Sequence, residues 1–269
     1  MKKIALILAL VMMMSVFTAC GEKETGGLTV STGDTTASTT QLLTGLNGES
    51  ITVPASISKI ACVSPAAKII LEALGASDKL AEASDAEIIF VDEADAASYE
   101  SSGTPVVSIP TAGSVADINS LIRLVAKAAG VSGDDLVNKI TNVMNVAQVG
   151  SSAYSTRFRA YLDLGDGQTV GSGTYVTEIL YATGLENIAT FEGFGEMAEA
   201  DVIAADPEFI FTTGSADDYL NNAAFAEVSA VVSGYVYEIA AEDIIYGSSN
   251  VSNVVSKMYE NVSDTRGDE

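Results

Sequence analysis

From residue 50 onward, short apolar runs rich in β-formers alternate with stretches whose apolar positions recur every three or four residues. Residues 58–63 read as a buried strand. Ser64 followed by Pro65 then starts a helix that carries Ile69, Ile70, Ala73 and Leu74 and stops at Gly75. Residues 87–91 and 104–109 read as two more strands, each flanked by turn residues. Ser114 with Asp117 predicts a capping box ahead of Ile118, Leu121, Ile122 and Val125, with Gly130 closing that helix. Ser132 with Asp135 predicts another, ahead of Leu136, Ile140, Val143, Met144 and Ala147. The rhythm then repeats. Residues 157–164 form a strand before a glycine-rich loop, and Thr174 opens a helix with Val176, Ile179 and Leu180 that Gly184 stops. A helix over 199–205 breaks at Asp206-Pro207, strands follow over 208–212 and 234–239, and a helix over 249–262 ends the pattern. Its stripe is Val251, Val254, Val255, Met258 and Val262. Strands alternating with helices predict an α/β fold with mainly parallel sheets. Two such units around a helical middle predict two lobes with a cleft between.

The first twenty residues follow another pattern. Lys2 and Lys3 precede an apolar run over residues 4–17, shorter than the roughly 20 residues a spanning helix needs, and small residues lead into Ala19-Cys20. This is the plan of a secretory signal sequence. The cysteine after a small residue resembles a bacterial lipobox, which implies cleavage before Cys20 and lipidation of its sulfur. An ordinary cleaved signal with an unmodified Cys20 is the competing reading. The following stretch, rich in Gly, Ser, Thr and charge, cannot bury enough surface to offset its ordering entropy and predicts a flexible tether. The expected divisions are a signal peptide over 1–19, a tether over 20–41 and an N-terminal α/β lobe over 42–131. A linking helix over 132–150, a C-terminal α/β lobe over 151–263 and a tail over 264–269 complete them.

Composition narrows the function. The formal net charge is −23, and losing Lys2 and Lys3 would take it to −25. With arginine only at positions 123, 157, 159 and 266, the chain lacks the basic surface that nucleic acid requires. Histidine is absent, which removes the commonest general base and the commonest metal ligand together. No Ser/His/Asp set, zinc motif, Walker loop or dinucleotide fingerprint is present, so the chain reads as a binding protein and not an enzyme. If Cys20 carries lipid, Cys62 has no intramolecular partner; in the apolar run at 60–63 it reads as a buried structural thiol.

Several stretches then resemble one family. GESITVP at 48–54, SKIACVSPAA at 58–67 and LGASDKL at 74–80 are similar to the opening of the helical-backbone periplasmic binding proteins. Those proteins deliver iron-siderophores, haem or cobalamin to ABC importers. GSGT at 171–174, EIL at 178–180, GLENIA at 184–189, ADPEFIF at 205–211, Val236-Tyr237 and the final helix continue in that family's order, so the similarity spans residues 42–263. The resemblance implies two Rossmann-like lobes joined by a long rigid helix beginning near Ser132, with the ligand held by loops of both lobes and no cofactor. It implies a monomer outside the cytoplasm, lipid-anchored to the cell membrane, partnered by an importer permease and a small-molecule ligand. It also implies one docking Glu per lobe. Those positions hold Ile69, beside Lys68, and Ala200, so Glu199 and Asp201 become the docking candidates. Loss of docking, leaving a non-transport interaction or sensory lipoprotein on the same scaffold, is the alternative.

Ligand contacts are expected where strands end and helices begin, because backbone N–H groups point outward there. In the first lobe that selects Ser64, Pro65 and Ala66, with Asp92, Tyr99 and Thr111 further out; Ser64 is equally well a helix cap. Asp92, Glu93 and Asp95 offer oxygens to a cation but read as solvated acids, and no metal site is assigned. In the second lobe, Gly171, Ser172, Gly173 and Thr174 form a loop-to-helix turn suited to a close ligand or to a tight bend. Tyr175, Phe191, Phe194 and Tyr246 are candidates for stacking on a flat ligand, with core packing as the competing role. Few cations are available for an anionic catecholate or citrate complex. A neutral or weakly charged corrinoid, haem or hydroxamate-type iron complex fits better.

Overall fold

Local chemistry accounts for the first lobe. The computed structural model describes residues 39–267, so the expected signal sequence, Cys20 and most of the expected tether lie outside the described residues. Strands β1 (Thr40–Thr44) and β2 (Ser50–Pro54) pair antiparallel around a turn in which Gly48 takes φ 84°, a value open to glycine. This hairpin was not foreseen, and β1 occupies residues expected to end the tether. Strands β3 (Ile60–Cys62), β4 (Ile88–Asp92) and β5 (Val106–Ile109) form a parallel sheet with β4 in the centre. Ile88 and Phe90 of β4 face the main core while Ile89 and Val91 face a smaller cluster, which is why the strand reads as an unbroken apolar run. Helix α1 (Pro65–Ala73) packs on α2 (Val115–Ala129). The foreseen capping box is present: the Ser114 hydroxyl accepts from the Asp117 N–H, and the Asp117 carboxylate accepts from the Ser114 N–H.

Helix α3 (Asp134–Ser151) leads into the second lobe and packs against α2 on one side. Its start differs from expectation. Ser132 bonds Asp134 and not Asp135, and Gly133 holds the cap position. A methyl on Gly133 would lie 3.1 Å from Ile122 and Ala126 of α2, so the contact between the helices sets this end.

The second lobe comprises β6 (Phe158–Asp163), β7 (Gln168–Val170), α4 (Tyr175–Ala182), β8 (Leu185–Asn187), β9 (Phe194–Glu196) and α5 (Glu199–Ala205). It continues with β10 (Phe209–Thr212), α6 (Asp217–Leu220), α7 (Ser229–Ser233), β11 (Val236–Glu238), α8 (Ala241–Ile244) and α9 (Val251–Gly267). The order β11-β10-β6-β8 makes a second parallel sheet, while β7 and β9 pair antiparallel beside it. Helix α9 continues through residues expected as tail. It packs on α3, and α3 also touches α4. One buried cluster therefore runs from Leu43 and Ile70 through Ile140 and Ala147 of α3 to Phe209 and Met258. The fold is α/β with two parallel sheets, as the alternating pattern predicts.

Two carboxylates tie strand starts to their neighbours. Glu87 accepts from the Ser58 N–H (2.6 Å), the Ser58 hydroxyl (2.9 Å) and the Lys59 N–H (3.0 Å). Asp206 accepts from the Ser229 N–H (2.8 Å) and hydroxyl (3.0 Å). The Ser58 and Ser229 backbone bonds are the main cause that holds each carboxyl below its ordinary value. A depressed folded value stabilises above the unfolded value and is lost as pH falls through the folded one. Thermal melts should therefore show a falling Tm below about pH 4, and Glu87→Gln should flatten part of that fall.

Candidate ligand-binding site between the lobes

The strand ends of the first lobe and three segments of the second line a cavity of about 660 Å³. The β4 end contributes Asp92, Glu93 and Ala94. The segment after β5 contributes Pro110, Thr111 and Ala112, and α2 contributes Asp117, Ile118, Ser120 and Leu121. Leu46, from the hairpin turn, and Ala66 of α1 complete that wall. The second lobe supplies Tyr175 of α4, Phe194 of β9 and residues 245–247 between α8 and α9. Phe194 and Tyr246 keep 41% and 45% of their surface exposed, so their rings remain open to a solute. Tyr175 does not: it is 1% exposed, its hydroxyl donates to the Ile244 carbonyl, and burial pushes its ionisation up. It forms wall, not a stacking face.

Six of the fourteen expected contacts line this cavity: Ala66, Asp92, Thr111, Tyr175, Phe194 and Tyr246. The others lie elsewhere for definable reasons. Ser64 is fully buried; its N–H donates to the Phe90 carbonyl, and its hydroxyl makes no cap bond and has no hydrogen-bond partner among the described residues. Pro65 is the first residue of α1 and is half-buried. Tyr99 lines a separate depression with Cys62, Lys68 and Leu80. The loop from Gly171 to Thr174 is committed to Phe191 and Gly193. Gly171 N–H donates to the Gly193 carbonyl at 2.7 Å, Ser172 N–H to the Phe191 carbonyl at 2.7 Å, and Gly193 N–H to Ser172 at 2.9 Å. The Thr174 and Thr177 hydroxyls both turn back on the Gly171 carbonyl. The close approach at Gly171 is thus to the chain itself, and Phe191 packs over Gly195. Phe194 belongs to strand β9.

Sequence reasoning passed over Leu46, Pro110, Ala112, Ile245, Gly247 and the α2 wall. The segment 110–112 follows the rule of strand-end loops and could have been found by it, whereas residues 245–247 join two helices, where that rule does not reach. The α2 residues carried no separate signal, because an apolar stripe looks the same whether it faces core or cavity.

The lobes also bond directly beside the cavity. The Glu178 carboxylate of α4 accepts the Val115 N–H at the start of α2 at 2.8 Å, a favourable place for negative charge. Glu178→Ala should cost about 1 kcal/mol, read as a lower urea midpoint with an unchanged slope.

Among the described residues no group of three or more Cys, Asp or Glu could hold a metal ion, so Asp92, Glu93 and Asp95 do not converge. Cys62 is half-buried, and burial first, then Glu72, pushes its thiol up to about 12. It is therefore protonated at neutral pH. Ellman's reagent at pH 8 should label it far more slowly in the native protein than in guanidinium.

No protein-family model matches the chain, and no curated protein matches it in sequence. Solved structures do match. Helicobacter pylori CeuE, solved as a nickel-histidine complex, aligns with TM-score 0.71 at 15% identity, over 83% of this chain and 88% of that one. The molybdate-binding MolA of Haemophilus influenzae aligns with TM-score 0.70 at 15% identity, over 83% and 93%. The chain has the fold of the periplasmic solute-binding proteins. The haem-binding RhuT of a Roseiflexus species shares this solute-binding fold at TM-score 0.63 and 16% identity, over 76% of this chain and 99% of that one. Among the described residues no helix is long and apolar enough to cross a membrane.

Proposed function

We propose that the chain is an extracytoplasmic solute-binding lipoprotein, anchored through Cys20, that captures a small molecule for an ABC importer. The observation that supports this most is the interlobe cavity with two open aromatic faces, Phe194 and Tyr246, on a fold whose solved relatives bind haem or molybdate. The chain acts as a monomer and as a binder with no catalytic step. An iron complex, haem or corrinoid is its solute class, since a flat, partly apolar body suits the aromatic rings. On the importer side, Glu199 and Asp201 lie exposed in the first turn of α5 and serve as docking acids for the second lobe. A thermal-shift panel of ferric hydroxamates, haem and corrinoids on the purified protein tests the capture step. One solute should stabilise it by about 2.7 kcal/mol at a hundredfold excess over Kd. No shift across the panel would remove the reading.

One observation favours a second reading. At the first lobe's expected docking position α1 presents Lys68 and Ile69. A non-transport interaction or sensory lipoprotein would bind the same solute yet fail to stimulate ATP hydrolysis by a reconstituted importer.

A further inference from the structure

The charge lining the cavity is one-sided. Asp92, Glu93 and Asp117 border it, and among the described residues no lysine or arginine does. Five of the described cations are engaged elsewhere. Lys79 donates to the Ile57 carbonyl, Lys127 to Leu42, Arg157 to Tyr181 and Lys257 to Glu238. Arg159 pairs with Asp206 and Glu208 at the opposite end of its sheet. One oxygen of Asp117 already accepts from Gly113, Ser114 and the Ser114 hydroxyl, so that carboxylate contributes field more than contact. The carboxylates of Asp92 and Glu93 make no hydrogen bond or ion pair among the described residues and remain available. A cleft with apolar walls focuses such charge, and the net charge of −23 adds to it at longer range. An anionic solute would meet unpaired carboxylates and no counter-ion. A positive group gains both the carboxylates and the exposed faces of Phe194 and Tyr246, whose ring quadrupoles attract cations.

We propose that the interlobe cavity selects a solute carrying positive charge on a compact, partly apolar body, with Asp92 and Glu93 as counter-charges and Phe194 and Tyr246 as the aromatic faces. This deepens the solute-binding reading and rests on it. The test uses two probes with the same iron centre: the ferric complex of desferrioxamine B, which bears one free ammonium, and its N-acetylated form, which is neutral. Haem, with two carboxylates, and neutral cyanocobalamin are included. Titration calorimetry on the purified protein should show the ammonium-bearing complex bound at least about fivefold tighter than its acetylated form. The gap should close in the double variant Asp92→Asn, Glu93→Gln, whose Tm without ligand reports that the fold is kept. Added salt should also narrow it. Equal affinity for the two complexes, a gap that survives the double variant, or tighter binding of haem would overturn the proposal while leaving solute binding in place. No binding of any of the four would overturn both.

Discussion

Phe209→Ala should destabilise the domain by about 3–5 kcal/mol, the largest loss expected for a single truncation here. Phe209 is fully buried on the central strand β10. Its ring lies 5.1 Å from Phe158 and from Tyr235, and 6.2 Å from Phe211 and from Tyr237. Removing it opens a void among four aromatic rings, held by β10 itself, by β6 and by the chain entering and forming β11, that cannot close over it. For a domain of this size the loss corresponds to a fall in Tm of roughly 10 °C. Phe209→Leu, which keeps most of the volume, should cost much less. If the two variants melted alike, the packing of this sheet would be wrong as described.

The second large effect should come from a single added methyl. In Gly171→Ala the new Cβ would sit 1.9 Å from the Phe191 carbonyl oxygen and 2.7 Å from its carbon. Both are backbone atoms, held by the Ser172 N–H bond just beyond the β7–β9 ladder, so no side chain can swing aside. Overpacking costs typically about 1–3 kcal/mol, and the upper part of that range is expected because Gly171 N–H and Ser172 N–H would lose their bonds to this segment as well. Gly173→Ala has open space by comparison but takes φ 73°, so its cost is conformational and smaller. Denaturant midpoints of the two variants should separate in that order. A Gly171→Ala protein as stable as the parent would mean that the loop does not lie against Phe191.

These two glycines also show where the sequence stops informing. A Gly-Ser-Gly-Thr turn before a helix is compatible with a ligand or with a neighbouring strand, and nothing local distinguishes them. The deciding partner, Phe191 to Gly193, lies twenty residues on, just ahead of the three-residue β9, which is too short for a period-2 pattern. The hairpin of β1 and β2 escaped for a related reason. Its first strand follows Ser and Thr-rich sequence, although Asn47-Gly48 is a strong turn signal in its own right. By contrast, β4, β10, α2 and α9 were legible because burial on two faces, or along one stripe, writes a pattern longer than the noise. Ser114 and Asp117 succeeded as a cap because both bonds are local. Ser132 and Asp135 failed because a glycine pressed against another helix overrode the local preference. Of the candidate site, the strand-end loops could be read and the floor could not. Ile118 and Leu121 share an apolar stripe that serves the core and the cavity together.

The interlobe cavity as solute site is tested most directly by amide hydrogen exchange on the purified protein, with and without the panel solute giving the largest thermal shift. Slowed exchange should concentrate at residues 92–94, 111–112 and 245–247, on both sides of the cavity. Protection centred on Cys62 and Tyr99 instead, or an unchanged pattern at saturating solute, would contradict a site between the lobes.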